Sequence, residues 1–102
     1  MNISVSGFDW DDGNREKCQK HGVRQAEIEA LFRTPDLFVS DDREHSQHEP
    51  RFLALGRSQA GRYMIVAFTL RDKGGEACIR PISARYMHEK EVKKYEKENT
   101  EF

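Results

Sequence analysis

Six arginines, at positions 51, 57, 62, 71, 80 and 85, crowd one stretch of a 102-residue chain whose net charge is −1. A planar guanidinium favours two-pronged contacts with phosphate or carboxylate over general attraction. The plainer reading of the same pattern is solvated charge spread over both faces of a sheet. Other groups could join them. His21, beside Lys20 near a predicted helix end, reads either as a cation favoured by the helix dipole or as an acid/base group. Glu49 and Arg51 flank Pro50 and read as a surface ion pair or as an acid/base–phosphate clamp. Trp10 reads first as a packing anchor and second as a stacking platform. His45 and His48, near Asp41, Asp42, Glu44 and Glu49, lie in a loop without a ligand spacing typical of a metal site, so a solvated acidic loop is expected there. No dinucleotide, P-loop, zinc-protease or serine-hydrolase motif occurs, and neither metal nor cofactor is expected.

The charge is unevenly placed. Residues 1–50 carry 6 Lys and Arg against 11 Asp and Glu, residues 51–85 carry 7 against 2, and residues 86–102 carry 4 against 5. A basic unit is thus set in a chain that is otherwise acidic. The length fits a single domain over 1–102. Charged residues at 34% and a mean hydropathy of −0.88 exclude a membrane span, since no apolar run approaches the roughly 20 residues one needs. The first residues lack a signal pattern, and the isolated Cys18 and Cys78 suggest reduced thiols, so a cytoplasmic location is expected.

The elements that must position these groups can be read from spacing. Residues 52–58, 63–71 and 76–84 alternate as strands, joined by turns at 59–62 and 72–75 that carry glycines. In the middle strand Met64, Val66, Phe68 and Leu70 share one greasy face, and Tyr63, Ile65, Ala67, Thr69 and Arg71 share a more polar one. A short strand over 3–8 precedes a helix over 12–21 with Asp11 as N-cap and Gly22 as its closing residue. A second helix is expected over 24–33, a strand over 37–39, a charged loop over 41–50 and a closing helix over 88–98. This order gives an α+β fold: two N-terminal helices on one face of an antiparallel sheet, with a C-terminal helix. Strict alternation sets Arg80 and Arg85 on opposite faces, whereas a bulge at Pro81 would bring them to one side.

Five segments, Phe8-Asp9-Trp10-Asp11, Lys20-His21-Gly22-Val23, Glu49-Pro50-Arg51-Phe52, Gly56-Arg57-Ser58 with Gly61-Arg62, and Ile82-Ser83-Ala84-Arg85, occur in order before a Glu-Lys-Tyr-rich helix. Together they resemble the BrnT toxin family across nearly the whole chain. The resemblance implies a RelE-like ribonuclease fold and RNA cleavage, for which a metal-free reaction through the 2′-hydroxyl is the expected mechanism. It also implies neutralisation by a BrnA antitoxin bearing a ribbon-helix-helix region, and repression of operator DNA through that partner. In that frame Arg62, Arg80 and Arg85 are the expected transition-state contacts. Either His21 or Glu49 is the expected general base or acid, with Tyr86 a weaker candidate, and Lys20, Arg57 and Tyr86 are the expected RNA contacts. A module that docks an antitoxin and breaks no bond is the competing class.

Overall fold

The computed structural model describes residues 7–42 and 48–99. Five strands and three helices follow in the order β1 (Gly7–Phe8), α1 (Asp12–Gln19), α2 (Gln25–Leu31), β2 (Phe38–Asp41), β3 (Phe52–Arg57), β4 (Tyr63–Lys73), β5 (Glu76–Tyr86) and α3 (Glu89–Asn99). The strands form one sheet, ordered β1-β5-β4-β3-β2. The α+β class holds, but the sheet is mixed and not purely antiparallel: Gly7 and Phe8 run parallel to Cys78 and Ile79 of β5. No hairpin joins these two strands, so nothing in the connection forces them antiparallel. Residues 3–6 of the expected first strand, and His45 of the charged loop, lie outside the described residues.

Local chemistry explains the start of α1. The Asp11 carboxylate accepts from the Asn14 amide at 3.0 Å while the Asn14 side-chain oxygen accepts from the Asp11 amide at 2.7 Å. This reciprocal pairing satisfies amides that a helix start leaves open. The Asn14 Nδ2 then donates to the carbonyls of Asp9, at 2.9 Å, and Pro81, at 2.8 Å, which ties α1 along the outer edge of β5. The helix ends at Gln19, two residues before the expected 21, and Gly22 at φ 83° turns the chain toward α2. His21 therefore sits in the turn after α1.

Ile28 and Leu31 of α2, with Cys18 and Val23, bury against Ala54, Met64, Val66, Phe68, Ile79 and Ala84 of the sheet. Each large apolar side chain buried in this way contributes about 1.5–3 kcal/mol. Phe32 meets Phe8 and Phe68 edge-on, with ring centres 5.8 and 5.0 Å apart. Trp10 packs on this core and donates from Nε1 to Glu29 of α2 at 3.0 Å, the anchoring role expected of it. Cys18 is a free thiol in the core, and burial pushes its pKa up to about 11, leaving it inert as a nucleophile.

Two positions depart from simple alternation. Leu70, expected on the greasy face, is 42% exposed, and Thr69, expected on the polar one, is 2% exposed. β3 begins at Phe52 opposite Phe68, so beyond that point β4 has lost its β3 neighbour and its cover. Thr69 is closed over by the incoming chain, its hydroxyl donating to the Pro50 carbonyl at 2.7 Å. The helices also do not share one face. α3 lies across the opposite side, where Tyr95 meets Tyr63 at 5.5 Å and Phe38 at 6.3 Å. Val92 and Tyr95 alone could not hold a helix on a core, but aromatic rings rising from β2 and β4 give Tyr95 a seat.

α2 packs closely on the sheet at Gly56, where a built Cβ would lie 2.8 Å from Leu31 Cδ1. Leu31 is 1% exposed and cannot step aside freely. Gly56→Ala is expected to cost about 1–3 kcal/mol through overpacking. A urea titration by circular dichroism reads this directly; an unchanged midpoint would mean that the contact relaxes without loss.

Candidate functional site

Within the β4–β5 ladder Ala67 faces Ser83 but Phe68 faces Pro81, so Ile82 is an extra residue in β5. Arg85 then stands opposite Ile65 and Arg80 opposite Thr69. Ile65, Thr69 and Arg71 alternate onto one face of β4, so the bulge brings Arg80 and Arg85 to that same face despite their odd spacing. Pro81 fits here because its carbonyl points outward to Asn14, on a stretch of β5 beyond β1.

This face holds two adjoining hollows. One, of about 420 Å³, is lined by His21, Asp42, Arg51, Ser83, Arg85 and Glu91 around a floor of Leu53, Ile65 and Ala67. The other, of about 320 Å³, is lined by Lys17, Glu49, Arg51, Arg71 and Arg80 beside Asn14 and Pro81. Arg51 and Ile82 belong to both and form the ridge between them. The structure thus brings His21 together with Arg85, and Glu49 together with Arg80, on the two sides of Arg51.

The arginines are held by carboxylates. Arg80 donates to Asp11 at 2.8 Å and to Asp9 at 3.3 Å, and Lys73 reaches the other Asp9 oxygen at 2.9 Å. The Lys73 hydrogen bond, followed by the two cations, holds the Asp9 carboxyl below its usual range. The Asn14 amide, then Arg80, does the same for Asp11. Arg85 grips Glu91 of α3 with both terminal nitrogens, at 2.7 and 2.8 Å. That bond, with the His88 amide at 2.9 Å, pulls the Glu91 carboxyl down to about 2. Glu49 accepts from Arg71 at 3.2 Å.

Four expected site residues lie outside the two hollows. The Arg62 guanidinium stacks over the Tyr86 ring, 3.7 Å from its centre, and Tyr86 donates its hydroxyl to Glu27 of α2 at 2.7 Å. Both therefore sit on the side covered by α2, and the Glu27 hydrogen bond raises the Tyr86 pKa. Arg57 donates to the Tyr63 hydroxyl at 2.8 Å, beside the seat of Tyr95. Lys20 is exposed at the C-cap of α1, next to His21. Conversely, Lys17, Arg71 and Glu91 line the hollows without having been singled out. Arg71 was findable, since its alternation with Ile65 already placed it on the polar face. Lys17 and Glu91 depend on how α1 and α3 dock. Among the described residues no cluster of three or more metal-ligating side chains is found, and no helix is long and apolar enough to cross a membrane.

Because Glu91 has its pKa lowered in the fold, its ion pair stabilises fully above about 4.5 and is lost as the pH falls toward 2. The stability difference between the parent and Glu91→Gln is expected to shrink across that window, followed through the tyrosine signal of the α3 seat. Parallel pH profiles for the two proteins would show that Glu91 does not anchor α3.

A search of curated proteins gives no match. A family profile described as the ribonuclease toxin BrnT of type II toxin–antitoxin systems matches residues 10–91, a span that takes in α1, both hollows and Glu91. Such a family implies an RNA target and a protein antitoxin partner. With most of its length matched, including the ridge and the arginines on either side of it, the chain belongs to the BrnT family of ribonuclease toxins.

Proposed function

We propose that this toxin cleaves RNA by setting the scissile phosphodiester across the Arg51–Ile82 ridge. The observation that carries this reading is the paired arrangement: His21 and Arg85 line one side, Glu49 and Arg80 the other, and Arg51 belongs to both. In the step, the 2′-oxygen forms a bond to phosphorus as the bond to the 5′-oxygen breaks. One flanking group takes the 2′ proton and the other protonates the leaving oxygen. The products are a 2′,3′-cyclic phosphate and a free 5′-hydroxyl. These two proton transfers act on opposite sides of phosphorus, which suits an imidazole and a carboxylate on opposite flanks. Arg51, Arg80 and Arg85 supply positive charge where the phosphorane gathers negative charge, and need no metal to do so. Lys20 adds charge beside His21.

Arg62, Arg57 and Tyr86 stand off the ridge and take no part in the reaction at the phosphate. The same reading takes the fold as RelE-like and the antitoxin as BrnA-like, its ribbon-helix-helix region carrying the complex to operator DNA. It places the toxin in the cytoplasm with its RNA. A second reading, a docking module without chemistry, draws on the carboxylates already gripping Arg80 and Arg85, since an acidic antitoxin segment would offer the same groups.

Cleavage of a labelled RNA oligonucleotide decides between them. Arg51→Ala and Arg85→Ala, each checked for folding, are expected to slow cleavage on the order of 10²-fold, and His21→Ala by at least as much. The parent rate should survive a chelator, and the product should carry a cyclic phosphate. Losses below about threefold for all three variants would remove this assignment. Loss of antitoxin binding with no RNA cleavage by the parent would favour the docking module.

A further inference from the structure

The second hollow is lined by more cationic side chains than contact with one phosphate requires. Four cationic side chains, Lys17, Arg51, Arg71 and Arg80, line it with a single carboxylate, Glu49. Arg80 and Arg51 face the ridge in the reading above. Lys17, exposed on α1, and Arg71, on the β4–β5 hairpin beyond the end of β3, approach the same hollow from different elements. Resting on the ridge reading of the cleavage site, we propose that this hollow is a subsite for the phosphate next to the scissile one, with Lys17 and Arg71 as its contacts.

The chemistry favours a phosphodiester over an isolated anion. The hollow is continuous with the first through Arg51 and Ile82, so a ligand leaving the ridge runs directly into it. Ile82 offers an apolar surface for a sugar or base between the two phosphates. Lys17 is a flexible point charge and Arg71 a planar fork partly engaged by Glu49, a pairing that suits attraction of a backbone with no reading of bases. The substrate class is therefore single-stranded RNA with at least two successive phosphates, and a dinucleotide uses only part of the site.

Two measurements on the full chain test this. The first compares kcat/KM for a trinucleotide and a dinucleotide sharing the same cleaved step, in the parent and in Lys17→Gln and Arg71→Gln. The parent is expected to prefer the trinucleotide by roughly tenfold, and each variant to lose most of that preference. The second measures binding of a non-cleavable 2′-O-methyl oligonucleotide against salt. Each variant is expected to lower the slope of log K on log salt by roughly 0.7, the loss of one single-strand phosphate contact. Unchanged preference and unchanged slope in both variants would overturn the subsite while leaving cleavage at the ridge intact. A slope lowered in both variants while the parent cleaves nothing would keep the phosphate contact and remove the cleavage reading. If Arg71→Gln fails to fold once its Glu49 partner is lost, the exposed Lys17→Gln carries both measurements.

Discussion

Asn14 donates from one side-chain nitrogen to the carbonyls of Asp9 and Pro81, and much of the site hangs from that contact. It fixes the start of α1 against the bulged part of β5, with Asn14 itself 5% exposed. From this junction the Asp9 and Asp11 carboxylates reach Arg80, the chain turns at Gly22 to present His21, and Lys17 faces the second hollow. A buried amide that lost either partner would leave an unsatisfied polar group, at about 1–3 kcal/mol. The bulge at Ile82 is the other half of the arrangement. Without that extra residue Arg80 would face the core side of the sheet and be lost from the second hollow.

In the proposed reading the electrostatics let a chain with net charge −1 offer a polyanion a binding face. Its acidic groups are partly spent inside the fold, where Asp9, Asp11, Glu49 and Glu91 each hold a cation in place. These pairs are partly exposed, so their gain in stability is small. Their effect is on geometry: a guanidinium held by a carboxylate loses less freedom when a phosphate arrives. Competition is the cost, because a phosphate approaching Arg85 meets Glu91 there already. α3 is thereby linked to the site through one ion pair and one aromatic seat.

The helices, the three long strands and their hairpin turns were legible because period-two and helical spacing, the Asp11 cap and the paired glycines all act locally. The basic character of the 51–85 unit was legible for the same reason. Less accessible was anything set by docking. Arg62 was grouped with Arg80 and Arg85 on residue type, yet its stacking on Tyr86 follows from the short turn before β4. The mixed sheet and the crossing of α3 to the second face depend on contacts between segments far apart in the chain. Residue spacing around Pro81 suggested a bulge, but that Ile82 is the extra residue is seen only in the strand register, beside a Pro81 carbonyl held by Asn14 of α1, 67 residues away.

The measurement that bears most directly on the account is chemical-shift mapping of the labelled protein with a 2′-O-methyl RNA oligonucleotide. The account predicts that the perturbed amides cluster at residues 51–53, 65–71 and 80–85, with His21 among them, and that Arg51→Ala weakens the response throughout. Perturbations centred on α2, Arg62 and Tyr86, with the ridge silent, would contradict it.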